Sequence, residues 1–258
     1  MKIAFRADAS VQIGTGHVMR CLTLANELSG RGHTCRFVCR DLSGHLSQMI
    51  GDAGFDLTLL PAPAANFKVG DNDPDHAAWA GVPWKLDAEQ TLAAVQDVDW
   101  LVVDHYAFDA RWQKAALCKG AKLVVIDDLA DRAHVADLLL DQNLGRLSKD
   151  YYDLLPQKTE RLIGPNYALL RPEFAALRET ALAGRAERGN TVKTVLVSMG
   201  GVDLDNATGA VLSVLGAQLE LRVTVVMGAN APALDLIQAQ AAASSGRVEV
   251  IVNTSDMA

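Results

Sequence analysis

The stretch Ile13-Gly14-Thr15-Gly16-His17-Val18-Met19-Arg20 sets a histidine directly behind a paired-glycine turn. A glycine turn opening a helix is a ready anion site, because the first helical amides lack intrahelical partners and the positive end of the dipole points into the turn. Gly14 and Gly16, with Thr15 between them, let the backbone approach a phosphate closely. His17 falls in the first helical turn, where the dipole disfavours imidazolium, so a neutral ring able to accept a proton is expected. Its alternative role is capping or packing. Asp8 is expected either to orient that imidazole through its other nitrogen or to serve as a turn residue. Arg6 and Arg20 are candidate phosphate partners, with Arg6 equally readable as a surface charge at a strand end.

Of two familiar phosphate motifs, the dinucleotide fingerprint is weakened and the Walker loop excluded. A G-x-G-x-x-G dinucleotide fingerprint needs its third glycine where Met19 stands, and no G-x-x-x-x-G-K-[ST] occurs in the chain. Further polar residues sit at the ends of apolar runs. Asp104, His105 and Tyr106 could together hydrogen-bond a sugar, or Asp104 could cap the next turn while Tyr106 packs. Asp127-Asp128 and Asp141-Gln142-Asn143 suggest turn capping over metal binding, since no third ligand is spaced to complete a cage. Ser198-Met199-Gly200-Gly201-Val202-Asp203 repeats the strand–glycine–helix arrangement later in the chain. Cys21, Cys35, Cys39 and Cys118 lie among apolar neighbours without Cys-x-x-Cys spacing and read as free thiols.

These residues need elements to position them. Short runs rich in Val, Ile and Leu recur at Lys2–Arg6, Thr34–Cys39, Phe55–Leu60, Trp100–Asp104, Lys122–Asp127 and Asp137–Asp141, between stretches of helical periodicity. Near-continuous apolar strands separated by helices predict a doubly wound parallel α/β sheet. After His17, the residues Val18, Cys21, Leu22, Ala25 and Leu28 form one helical stripe. A second helix is predicted over Asp87–Val95. The segment from Pro61 to Trp84 holds four prolines and reads as a long connection, of a length that suits either a site cover or a disordered loop.

At 258 residues, two domains are expected. The polar stretch Arg178–Asn190 reads as the linker, giving an N-terminal α/β domain over 1–180 and a partial C-terminal domain over 191–258. The latter is predicted as strand Lys193–Met199, helix Asn206–Leu219, strand Leu221–Met227, helix Ala233–Ala243 and strand Val248–Val252. Thr254 to Ala258 then looks like a helix N-cap without its helix, so the second domain is expected to be incomplete. A net charge of −7 argues against nucleic acid or an acidic membrane as partner. With neither a signal-peptide pattern nor a spanning apolar run, a cytoplasmic protein is expected. Oligomeric state is not legible.

Five blocks carry a resemblance: FRADASVQIGTGHVMRCLTLANEL, VVDHYAFDARW, VIDDLADRAHVADLLLDQNLG, GPNYALLRPEF and SMGGVDLDN. In order, across nearly the whole chain, they resemble the UDP-2,4-diacetamido-2,4,6-trideoxy-β-L-altropyranose hydrolases of pseudaminic acid biosynthesis. The resemblance implies two Rossmann-like domains similar to the GT-B fold, holding a UDP-sugar in the interdomain cleft. Water would attack the anomeric carbon with inversion and release UDP. His17 would be the general base, Tyr106 an active-site tyrosine, Gly14, Thr15 and Gly16 neighbours of the diphosphate, and Gly200, Gly201 and Asn206 part of the second turn. No redox cofactor and no metal are expected. Members of the family continue past Met257-Ala258. The alternatives are a GT-B glycosyltransferase and a catalytically silent nucleotide-sugar-binding protein.

Overall fold

Alternation along the first strand decides how the sheet is covered. In the computed structural model, which describes residues 1–63, 67–215, 220–254 and 257, β1 (Lys2–Ala7) turns Ile3, Phe5 and Ala7 to one face and Ala4 and Arg6 to the other. The first face packs under α1 (Gly16–Gly30), through Val18, Cys21, Leu22 and Ala25. β2 (Thr34–Arg40), α2 (Ser47–Asp52) and β3 (Asp56–Leu60) follow. The opposite face is covered by α3 (Trp84–Ala94), after β3, and by α4 (Ala110–Ala116), after β4 (Trp100–Asp104), where Ala88, Trp112 and Ala116 are buried. β5 (Lys122–Ile126), β6 (Leu138–Asp141) and β7 (Glu160–Ile163) complete a seven-stranded parallel sheet of order β3-β2-β1-β4-β5-β6-β7. The order reverses between β1 and β4. At such a switch the connections leaving the two strands part to opposite faces and open a crevice at the strands' carboxyl ends.

The chain divides into two compact units, Met1–Leu170 and Arg171–Ala258. The second holds α5 (Pro172–Glu187), β8 (Thr194–Val197), α6 (Ala207–Leu215), β9 (Arg222–Met227), α7 (Leu234–Ala242) and β10 (Val248–Val252), with a parallel sheet of order β10-β9-β8. Its core is formed by Val197, Leu212, Val223, Val225, Met227 and Ile237.

Two expectations are corrected here. The polar stretch read as a linker is largely helix: α5 starts with Pro172 at its first position and Glu173 in its first turn, and its alanine-rich sequence carries no breaker strong enough to stop it. Because α5 buries no residue, the apolar stripe that would have identified it is absent. β7 was not anticipated, since its four residues, Glu160-Arg161-Leu162-Ile163, are too short and too polar to stand out. The predicted end of helix Asn206–Leu219 and the Thr254–Ala258 cap extend into residues outside those described.

Candidate active site

The crevice between β1 and β4 gathers the polar residues of the first unit, and strand parity sorts them. Val102 lies on the α1 face, so Asp104, two residues on, faces α1; Val124 and Ile126 lie on that face, so Asp128 follows them. Arg6, Asp8 and Arg40 have the opposite parity and face α3, as does His105.

On the α1 side a chain of charged groups forms. Asp104, fully buried, lies 2.6 Å from His17 Nδ1. Arg20 donates to the same carboxylate through Nε at 2.5 Å and Nη2 at 2.6 Å, and through Nη1 to Asp128 at 2.5 Å. Tyr106 donates its hydroxyl to Asp128 Oδ2 at 2.7 Å. Burial alone would raise the Asp104 carboxyl, but His17 and Arg20 outweigh it and hold the group below its usual range. A carboxylate accepts only, so Nδ1 carries a proton, and the tautomer this selects has its lone pair at Nε2. Burial and the Asp128 carboxylate push the Tyr106 phenol upward, keeping it a neutral donor.

Asp8 does not orient His17. Its carboxylate receives Arg6 Nη1 and the Arg40 backbone N–H, each at 2.6 Å, and lies 3.2 Å from His105 Nε2 in an approach too bent for a good hydrogen bond. Parity is the reason: Asp8 faces α3, with the sheet between it and α1. Nor is Arg6 a surface charge. Fully buried, it donates to Asp87 through Nε and Nη2, while Arg40, Thr91 and the Trp112 indole also donate to Asp87. This network joins β1 and β2 to α3 beneath the crevice. Arg20 is likewise committed to two carboxylates, which removes the free cation a phosphate partner would need.

The remaining predicted residues separate by role. Gly14 has φ +80°, and its N–H goes to Ser10 O at 2.8 Å, so its glycine serves the turn. Gly16 opens α1 with free space around a notional Cβ, and Thr15 at the N-cap makes no side-chain capping bond. Asp127 accepts from the amides of Leu129 and Ala130, and Asp141 from that of Asn143, which are the capping roles expected; the Tyr151 hydroxyl bridges both carboxylates at 2.8 Å. Asp128 instead joins the α1-side chain. Among the described residues, no group of three or more acidic, His or Cys side chains is arranged to hold a metal ion. The four cysteines are free thiols. No described helix is long and apolar enough to cross a membrane.

Sequence reasoning missed His76 and Trp79. The connection after β3 carries a 3₁₀ turn, Ala77–Ala80, that brings them to the site. Trp79 lies 5.6 Å from the Tyr106 ring and 6.4 Å from His17, and His76 lies 4.7 Å from Trp79, measured between ring centroids. His17 and Tyr106 meet edge to face at 4.6 Å. Only the length of the connection hinted at this.

In the second unit, Gly200 has φ +81°, and Gly228 approaches so closely that a Cβ would stand 2.3 Å from Gly201 O. Asp203 accepts from the amides of Ala207 and Thr208, each at 2.9 Å, and Asn206 from that of Gly209 at 3.1 Å. Asn206 is therefore a helix cap here, where a substrate contact had been expected.

No family model matches the chain. It is 29% identical over 221 residues, covering 83% of its own length and 66% of the relative's, to the UDP-2,4-diacetamido-2,4,6-trideoxy-β-L-altropyranose hydrolase of Campylobacter jejuni. It is 27% identical over 234 residues, covering 88% of its own length, to an uncharacterized protein of Methanocaldococcus jannaschii, of which it covers 43%. The chain thus spans less than two thirds of either curated relative. Among solved structures it is similar to MurG of Acinetobacter baumannii, with TM-score 0.56 and 13% identity over 99% of this chain and 69% of that one. A UDP-glucosyltransferase from Polygonum tinctorium gives 0.55 and 14% over 98% and 71%, and S. aureus MnaA with UDP gives 0.52 and 11% over 98% and 69%. At these identities the likeness is one of fold: α/β, Rossmann-like and of the GT-B kind.

Proposed function

We propose that this relative of the UDP-2,4-diacetamido-2,4,6-trideoxy-β-L-altropyranose hydrolases cleaves a UDP-linked diacetamido-trideoxy sugar at its anomeric carbon, with water as the nucleophile. The observation that carries the reading is the His17–Asp104 pair at the head of α1, which leaves Nε2 without a partner among the described residues. In this mechanism Nε2 takes a proton from water as the oxygen attacks, and Asp104 stabilises the imidazolium that forms. The C1–O bond to UDP breaks on the opposite face, inverting the configuration. UDP leaves readily, so the protein's main tasks are to place the water and to meet charge growing on the diphosphate.

The uncapped start of α1, at Thr15, Gly16 and His17, supplies amides for that charge. Tyr106, whose one hydroxyl proton goes to Asp128, accepts a hydrogen bond from the substrate through its oxygen, and Arg20 holds Asp104 and Asp128 in place without itself touching phosphate. No step requires a redox cofactor or a metal.

Incubating the protein with the UDP-diacetamido-trideoxy sugar should release UDP in the absence of any acceptor, with the inverted anomer formed first by NMR. His17→Phe is expected to lower kcat by about 10²–10⁴-fold. The likeness to glycosyltransferase folds favours one second reading, transfer to a sugar hydroxyl. UDP release that depends on an added acceptor would replace hydrolysis with that reading.

A further inference from the structure

The connection between β3 and α3 is held at several points. Arg40 Nη1 donates to Pro61 O at 2.7 Å, and Pro63 packs on Gly81 so closely that a Cβ there would stand 2.5 Å from the proline Cγ. Gly81 also takes φ +69°, which suits only glycine at low cost. Arg111, on α4, reaches Asn72 O at 3.0 Å and the Asp73 carboxylate at 3.1 Å. Ala77 and Ala80 are buried and seat the 3₁₀ turn. Between these anchors His76 and Trp79 stay partly exposed and turn toward the reactive pair. His76 lies 5.6 Å from the Tyr106 ring at 44°, and Trp79 lies 5.6 Å from it at 31°. Three ring systems from two separate segments therefore line one side of the space beside His17.

Such a surface has a definite chemistry. Aromatic faces attract C–H-rich surfaces and gain from burying them, whereas a hydroxyl set against them loses its water without finding a partner. A trideoxy sugar with two acetamido groups presents methyls and deoxygenated carbons that suit this side. A sugar with a free hydroxymethyl does not. We propose that Trp79, supported by His76 and Tyr106, is a specificity-determining wall that receives the apolar face of the sugar and so selects deoxygenated, methyl-bearing UDP-sugars. This rests on the reading of the protein as a UDP-sugar hydrolase, and it assigns selection to a segment outside the glycine turns and the His17–Asp104 pair.

The test compares wild type, Trp79→Ala and Trp79→Phe on two probes, the UDP-2,4-diacetamido-2,4,6-trideoxy sugar and UDP-N-acetylglucosamine. Turnover is read by UDP release and binding by calorimetry. In Trp79→Ala, KM for the trideoxy probe should rise about tenfold while kcat falls less than threefold, and preference over UDP-N-acetylglucosamine should shrink about tenfold. Trp79→Phe should keep most of both, because it retains a ring face. Thermal melts check that each variant folds, and Trp79→Phe, which keeps a ring in the same place, carries the comparison if Trp79→Ala melts early. An unchanged KM and preference in Trp79→Ala overturns the wall; so does a fall in kcat at constant KM, which would make Trp79 a support for His17. If wild type binds the trideoxy probe but releases no UDP, hydrolysis falls, and the binding ratio alone judges the wall. If wild type does not bind the trideoxy probe, both fall.

Discussion

The chain contains two strand–glycine–helix turns, and they treat the start of the helix in opposite ways. At α6, Asp203 and Asn206 take the amides of Ala207, Thr208 and Gly209 for the protein itself. At α1, Thr15 makes no capping bond, the first turn has no acidic residue, and His17 follows one residue into the helix. The same local shape is thus closed in one unit and open in the other. A glycine turn does not by itself indicate a binding site; what its neighbours do with the helix amides decides whether a ligand is needed there.

The contrast can be broken in order of expected size. Asp104→Asn keeps the shape beside the open turn but can present an amide N–H to His17 Nδ1, favouring the wrong tautomer. Turnover should fall by about 10²–10⁴-fold with a shifted pH profile, and a rate near wild type would mean that His17 needs no orienting group. At the closed turn, Asp203→Ala should cost about 0.5–2 kcal/mol of stability by denaturant titration, since it removes a cap. Its carboxyl also gives that loss a pH signature. Burial would raise it, but hydrogen bonds from Thr208 and the Ala207 amide hold it below the usual range. The folded form then binds fewer protons than the unfolded one, so the contribution is present above about pH 4 and is lost as pH falls further. The variant should lack that part of the acid sensitivity. The smallest effect is expected from Thr15→Ala at the open turn. With no cap bond to lose, stability should change by less than about 0.5 kcal/mol, and a larger loss would show that α1 is capped after all.

Much of the first unit was legible because its strands are buried on both faces and read as unbroken apolar runs. The α1 stripe was equally plain. Legibility failed where burial did not stamp a pattern: at β7, too short to stand out, and at α5, which buries nothing. In the site, the motif reading singled out His17 and Tyr106, whose rings the structure brings together, and left Asp8 as either the imidazole's orienting group or a turn residue; the carboxylate that meets the ring is Asp104. Asp8 is near in sequence and faces away, whereas Asp104 lies 87 residues on and shares the α1 face. Counting by twos from Ala7 and from Val102 would have separated them, provided the position of α1 was known. Arg6 and Arg20 resisted for a similar reason: their charge is answered by Asp87, Asp104 and Asp128, which arrive from other elements. The rings of His76 and Trp79 had no signal beyond the length of their connection, since a proline-rich segment has no period to read.

The clamp around the Pro61–Pro83 connection has a consequence for how such a protein can diversify. One end is tied through Pro61 to Arg40, and just past the other, Asp87 anchors α3 to Arg6 and Arg40, so both ends meet the same buried charges. What happens between them need not disturb the sheet. The segment is in effect a cassette: residues between its anchors can be exchanged while the His17–Asp104 pair keeps its footing, so the surface beside the pair can change without rebuilding the fold.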